Sequence, residues 1–407
     1  MTINRRAALL PAAMLLIAAC GGSGVTPTTR PSGTAAPPAT PTAAAATATA
    51  AASECTVAVS WNNFQQPRWA AHDKPGIEDT VVQGGGTYID ADANLSNEQQ
   101  ATDVDTLISR GADVLILLAQ DTTAILPAVA KANQEGIPVI AYDRLIEDAS
   151  VLYITFNNQE VGRAEAEPIL TEVPEGNYVL IKGDPGDPNA STFLPAGWDE
   201  AGLKAKIDSG DIVLLNGTTD DWPNNAGTYT DAWATETAQE NMEAIIDKAV
   251  ADDTPIDAIL AENDSTALGV VAALEAKSYG FPPLSGQDGD PANLNNVALG
   301  KQFVDVWKNA NELGKAAGAA ALALCEGQDM ADLTLEDGLV DPAVAPDSLT
   351  AQDFETPGGN TVKSFILKPT PLTKENLQLA IDGGQITKED LCQGVDAAAA
   401  DAPAACK

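Results

Sequence analysis

Basic residues are scarce in this chain. Only 22 Lys and Arg stand against 58 Asp and Glu, a formal net charge of −36. Nucleic-acid binding relies on cations to neutralise phosphates, so this balance argues against it. It suits a soluble exported protein whose surface repels other copies of itself. Histidine is nearly absent: His72 alone cannot furnish a zinc site, and no Cys-x-x-Cys or His/Cys cluster stands in for one. No metal or organic cofactor is implied. Catalytic signatures are missing too. There is no Gly-x-Ser-x-Gly elbow, no P-loop, and no Gly-x-Gly-x-x-Gly opening a helix after a strand. Gly84-Gly85-Gly86 precedes a strand and reads as a turn. Carboxylates are plentiful enough for a pair suited to glycoside hydrolysis to occur by chance, but nothing marks one. A carbohydrate-active hydrolase is therefore a remote alternative, and the expectation is a non-enzyme. Beyond the N-terminus no apolar run approaches the roughly 20 residues that span a bilayer.

What is present begins with an export pattern. Arg5 and Arg6 precede an apolar run from Ala7 to Ala19, broken by Pro11 and followed by Cys20. A basic start, a short apolar stretch and small residues make a secretory signal. Leu16-Ile17-Ala18-Ala19-Cys20 resembles the lipobox of bacterial lipoproteins, which implies lipidation at Cys20 and a membrane anchor outside the cytoplasm. Residues 21–53 are nearly all Gly, Ser, Thr, Pro and Ala and cannot build a core, so they read as a disordered tether.

Some 350 residues follow, too many for one ordinary core, and two lobes are expected. The chain alternates strand and helix. Strands are expected at 56–60, 87–90, 114–118 and 139–142, with helices at 74–84, 97–109 and 125–134. The order restarts with strands at 178–181, 212–215 and 256–261 and helices at 193–209, 235–251 and 265–277. Gly286 to Asp290 forms the polar end of one more, poorly apolar strand. Such alternation predicts an α/β fold with parallel sheets flanked by helices.

The motif Ala141-Tyr142-Asp143-Arg144 closes an apolar run with an acid and a base. In open α/β sheets ligands bind beyond the carboxyl ends of strands. A carboxylate accepts hydroxyl hydrogens and a guanidinium donates in a fixed fork, so the pair suits a neutral polyol such as a sugar. The alternative is a surface ion pair. Without Cys20, four cysteines remain, and in an oxidising compartment they make two disulfides. Three connectivities are open. Cys392–Cys406 in the tail with Cys55–Cys325 in one lobe is the favoured set.

Taken in order, Ile-Ser-Arg-Gly-Ala-Asp-Val-Leu (108–115), Ala-Tyr-Asp-Arg (141–144), Phe-Asn-Asn (156–158), Pro-Glu-Gly-Asn-Tyr (174–178), Glu-Asn-Asp-Ser-Thr-Ala (262–267), Ser-Gly-Gln-Asp-Gly-Asp (285–290) and Val-Trp-Lys (306–308) carry a resemblance. The chain resembles periplasmic sugar-binding proteins of bacterial ABC importers, of the xylose-binding type related to ribose-binding proteins. The resemblance implies two Rossmann-like lobes joined by a three-segment hinge, with a monosaccharide between them. The first lobe is expected at 54–157 plus 307–364, the second at 158–306 plus 365–391, and a tail at 392–407. The expected partners are the sugar and an ABC permease, the membrane is touched only through lipid, and the protein is a monomer. A sugar-sensing module for a chemoreceptor or sensor kinase is the alternative.

The same resemblance implies a ligand set. Arg68 and Trp69 follow the first strand, and Asp121, Asp143 and Arg144 complete the first lobe's share. Asn189, Trp233, Asn263 and Asp288 come from the second lobe, and Lys308 from a crossing. Asp143, Asp288, Asn189 and Asn263 offer acceptors, Arg68, Arg144 and Lys308 donate, and indoles cover the apolar face of a pyranose. Trp61, Trp198 and Trp307 are expected in the core, and Asn263 can also cap a helix. Residues 218–230 look like an insertion that leaves Trp222 competing with Trp233 and that could cover the cleft mouth. A second insertion lies around 340–360. These departures put the exact sugar in doubt, with xylose first.

Overall fold

Short apolar runs become buried strands, because β-branched and aliphatic residues pack well on both faces of a parallel sheet. The computed structural model describes residues 55–345 and 349–407. The expected signal peptide, Cys20 and the tether lie outside the described residues. From Thr56 the chain runs β1 (Thr56–Trp61), α1 (Lys74–Gln83), β2 (Thr87–Asp92), α2 (Asn97–Ser109), β3 (Val114–Leu117), α3 (Leu126–Gln134), β4 (Val139–Tyr142) and β5 (Val151–Phe156). All pairings among these strands are parallel. Every residue of β3, β4 and β5 is buried.

A second unit follows: α4 (Asn158–Glu172), β6 (Gly176–Ile181), α5 (Leu194–Glu200), α6 (Leu203–Ser209), β7 (Ile212–Leu214), α7 (Thr235–Ala251), β8 (Ala258–Ala261), α8 (Asp264–Ala276) and α9 (Pro291–Leu299). Its sheet is parallel, in the order β7-β6-β8. The single helix expected at 193–209 is two, because Gly202 takes a φ of +95° that an α-helix cannot continue through. The strand expected before Gly286 survives only as isolated bridges, Leu284 with Ile259 and Gln287 with Val306.

The chain then returns through β9 (Asp305–Trp307), α10 (Ala310–Cys325), β10 (Gln352–Glu355), β11 (Thr361–Leu367), β12 (Thr370–Leu372), α11 (Gln378–Asp382) and α12 (Lys388–Leu391). β11 lies parallel to β5 and β10 antiparallel to β11, so the first sheet has seven strands in the order β10-β11-β5-β4-β3-β1-β2. The second insertion thus supplies an edge strand. The chain passes between the sheets after Phe156, along β9, and after Leu367. The last passage starts beyond Ser364, because β11 stays paired with β5 through Leu367. β9 and β12 pair with each other, and the Asn157 amide donates to Leu367 O at 2.8 Å, so the three passages are tied together.

Each sheet is covered on both faces. In the first lobe, α1 and α10 contribute to one core and α2 and α3 to the other. In the second, α4 to α6 lie on one side and α7 and α8 on the other. Trp61 and Trp198 are fully buried and Trp307 nearly so. Cys55 is bonded to Cys325 and Cys392 to Cys406. Among the described residues no helix is long and apolar enough to cross a membrane.

Candidate functional site

The cleft is built from strand ends. After β4, the Asp143 amide still donates to Ile154 O (2.9 Å), but its φ of +60° then turns the chain and Arg144 N–H donates back to Tyr142 O (2.7 Å). Asp288 (φ +114°) and Trp233 (φ +57°) also occupy backbone regions that non-glycine residues rarely adopt. Three strained residues facing one cleft mark a site where side-chain direction outweighs backbone comfort.

Arg68 is held rigidly. Its Nε and Nη2 donate to the two oxygens of Asp73 at 3.0 and 2.8 Å, and Asp73 Oδ1 also accepts from the Tyr142 hydroxyl at 2.6 Å. The free Nη1 reaches across the cleft to Asp288 Oδ1 at 2.8 Å and lies 3.5 Å from Asp143 Oδ1. Lys308 Nζ sits 3.4 Å from Asp143 Oδ1 and 3.3 Å from Asp288 Oδ1. Two carboxylates from opposite lobes therefore share two cations, and all four side chains are buried. A second cross-lobe pair joins Arg144 Nε to Asp187 Oδ2 at 2.9 Å, an ion pair by distance without a hydrogen-bonding angle. Arg144 Nη1 donates to Ala119 O at 3.1 Å.

Burial opposes every one of these charges, and the partners decide the outcome. For Arg68, Asp73, Asp143 and Asp288 overcome desolvation and keep the guanidinium charged. For Asp143, desolvation is outweighed by Lys308, Arg68 and Arg144, which hold its carboxyl below the ordinary aspartate value. For Asp187, desolvation wins over Arg144 and raises the pKa.

Two indoles line the same cleft. Trp69 donates through Nε1 to Gln66 Oε1 at 2.6 Å, and the Arg68 guanidinium carbon lies 4.2 Å from its ring centroid. Trp233 packs flush on Gly183, where a Cβ would come within 2.2 Å of the ring. Asn263 caps α8, its Oδ1 accepting from Thr266 N at 2.9 Å, while the residue also faces the cleft. Asp143 Oδ1, Gln287 Oε1 and Trp233 Nε1 are buried there with no hydrogen-bond partner in the protein. Such atoms are rare in native structures, and here they converge on one cleft.

Nine of the ten expected ligand residues line this cleft: Arg68, Trp69, Asp143, Arg144, Asn189, Trp233, Asn263, Asp288 and Lys308. Asp121 does not. Its Oδ1 accepts from the backbone of Thr123 and Ala124, both at 2.8 Å, and is spent on the turn before α3. Trp222 packs against the second lobe's core, leaving Trp233 in the cleft. Residues 218–230 contribute no lining side chain. They run beside β6 instead, with Thr228 N–H donating to Leu180 O and Lys182 N–H to Thr228 O, at 2.9 and 2.8 Å. Gln66, Asp73, Asp187 and Gln287 were not anticipated. Asp187 sits in the polar turn before Asn189, which was a usable signal.

Residues 57–329 match the family model of the periplasmic binding protein domain. The D-xylose-binding periplasmic protein of Escherichia coli is 34% identical over 318 residues, covering 77% of this chain and 90% of that one. An ABC transporter solute-binding protein from Clostridium phytofermentans, solved with β-D-glucose, superposes with a TM-score of 0.72 at 30% identity, covering 83% and 99% of the two chains. A carbohydrate transporter solute-binding protein from Chloroflexus aurantiacus, solved with D-glucose, gives a TM-score of 0.70 at 27% identity, with 82% and 97% covered.

Proposed function

Because the chain belongs to the periplasmic binding protein family, we propose that it captures an aldopyranose between its two lobes and delivers it to an ABC permease. D-xylose is the first candidate, supported by the E. coli relative. D-glucose is next, supported by the two glucose-bound neighbours. The observation that carries the proposal is the meeting of Asp143 and Asp288, from opposite lobes, on Arg68 and Lys308 in a cleft that Trp69 and Trp233 also line.

The chemistry follows from those groups. Asp143 and Asp288 accept sugar hydroxyl protons, Arg68, Arg144 and Lys308 donate to hydroxyl oxygens, and Asn189 and Asn263 supply amides. Trp69 and Trp233 cover the C–H faces of the ring. A sugar lacking one of these hydroxyls leaves a buried partner unpaired, at about 1–3 kcal/mol. The closing lobes are 54–157 with 307–367, and 158–306 with 368–391; residues 392–407 are the tail. Sugar that touches both lobes favours the closed form, and the permease recognises that form and opens it. The lipobox-like Leu16–Cys20 and the tether support a lipid-anchored monomer outside the cytoplasm.

A thermal-shift screen across pentoses and hexoses tests the proposal. D-xylose or D-glucose is expected to raise the melting temperature most, because a ligand at 100 times its Kd stabilises by about 2.7 kcal/mol. No product is expected. A screen in which no monosaccharide shifts the transition overturns it.

A further inference from the structure

Asn158 opens α4 directly after the first passage between the lobes, and it is 4% exposed. Its Nδ2 donates to Thr155 Oγ1 at 3.1 Å and to Asn189 Oδ1 at 2.9 Å. Thr155 Oγ1 in turn donates to Asp143 O at 2.9 Å. These bonds have a direction. A hydroxyl carries one proton, and Thr155 spends it on Asp143 O, so toward Asn158 it can only accept. That sets the Asn158 NH2 toward Thr155, with its second hydrogen on Asn189 Oδ1 and its own Oδ1 buried without a protein partner. Turning the Asn158 amide over would set its oxygen against the lone pairs of Thr155. The Asn189 backbone is itself fixed, its N–H donating to Asp187 Oδ1 at 2.9 Å.

We infer that Asn158 is a positioning residue that sets the Asn189 amide with its oxygen turned inward and its NH2 toward the cleft, so that Asn189 addresses the sugar as a donor only. The inference rests on the sugar-binding proposal above and sharpens it: the hydroxyl opposite Asn189 is read through its acceptor oxygen. The same relay, Asp143 O to Thr155 to Asn158 to Asn189, links the ligand-facing turn of the first lobe to that of the second. Asn158 reaches the ligand only through Asn189 and is absent from the residues lining the cleft.

The test is isothermal titration of D-xylose and D-glucose, with their singly deoxygenated and singly deoxyfluorinated derivatives, into the wild-type protein, Asn158→Asp and Asn189→Asp. Fluorine can accept a hydrogen bond but cannot donate one. At one ring position the wild type is expected to bind the deoxyfluoro sugar several-fold more tightly than the deoxy sugar. In Asn158→Asp a carboxylate faces Asn189, which turns its NH2 inward and offers the sugar an oxygen, so that preference is lost. Asn189→Asp, with no proton for the sugar, loses it too and carries the test if Asn158→Asp does not fold. The readout is a ratio between two ligands, so a merely destabilised protein leaves it unchanged. Parent-sugar binding with the fluoro preference intact in the folded variants overturns the inference alone. Failure of the wild type to bind either parent sugar overturns the sugar-binding proposal and this inference with it.

Discussion

Acidic side chains crowd the second lobe behind the cleft. Asp264, Asp290 and Asp305 are all buried, and Asp264 Oδ2 accepts from Asp290 N at 2.7 Å while Asp305 Oδ1 accepts from Gly289 N at 3.2 Å. Burial, then repulsion from neighbouring carboxylates, raises all three pKa values. For Asp290 the value reaches about 7: desolvation is joined by the charges of Asp288 and Asp73 and partly offset by Arg68. The folded value lies above the unfolded one of about 3.9, so the folded state holds the proton longer. This contribution is fully present below pH ~4 and is lost as pH rises through about 7. Urea unfolding of the wild type is therefore expected to show stability falling between pH 5 and 7.5, with Asp290→Asn flattening the slope. An unchanged slope in the variant contradicts the assignment. Asp143, Asn263 and Asp288 were legible in the sequence because each follows an apolar run or a strand-like bridge. The family resemblance implied Asp121 as well, but its Oδ1 accepts from two backbone amides of its own turn and the residue does not line the cleft. Asp73 was not legible, because its role exists only once the Arg68 fork is in place.

Continuous apolar runs translate directly into elements, and α2, β4 and α7 have the expected bounds. Legibility fails where periodicity is short or interrupted. α4 carries Pro168 and mixed polarity, and β9 and β12 are three residues each, too short for a period to register. Gly202 broke a helix that apolar spacing alone would have continued. What pattern cannot reveal is close approach between elements. α4 and α5 cross backbone to backbone: a Cβ on Gly162 would lie 2.1 Å from Leu194 O, and one on Gly197 2.1 Å from Gln159 O. That crossing also fixes the distance between Asn158 and Asn189. Gly162→Ala is expected to lower unfolding stability by about 1–3 kcal/mol, as overpacked sites do. It should also weaken sugar binding by separating the two asparagines. Wild-type stability in chemical denaturation would contradict the close crossing.

At the scale of the molecule, two covered sheets and three tied passages make a frame whose cleft is lined by charges from both sides. The Cys55–Cys325 bond ties the start of β1 to the end of α10, both in the first lobe, across 270 residues of sequence. Replacing both cysteines with Ala is expected to cost about 2–5 kcal/mol of stability while leaving sugar affinity unchanged. A change in affinity would mean that this bond also governs closure. The two-lobe plan was legible from the restarted strand–helix order. The seventh strand at the edge, β10, was not, because Gln352–Glu355 is polar and gains its place only by pairing with β11. On the proposed function, one sugar is gripped by both lobes at once. Calorimetric titration of D-xylose into the wild type, Asp143→Ala and Asp288→Ala tests it most directly. One site per chain is expected in the wild type, with at least about tenfold weaker binding in each variant, since each removes a charged hydrogen-bonding partner worth roughly 1.5–3 kcal/mol. Wild-type affinity in either variant would contradict it.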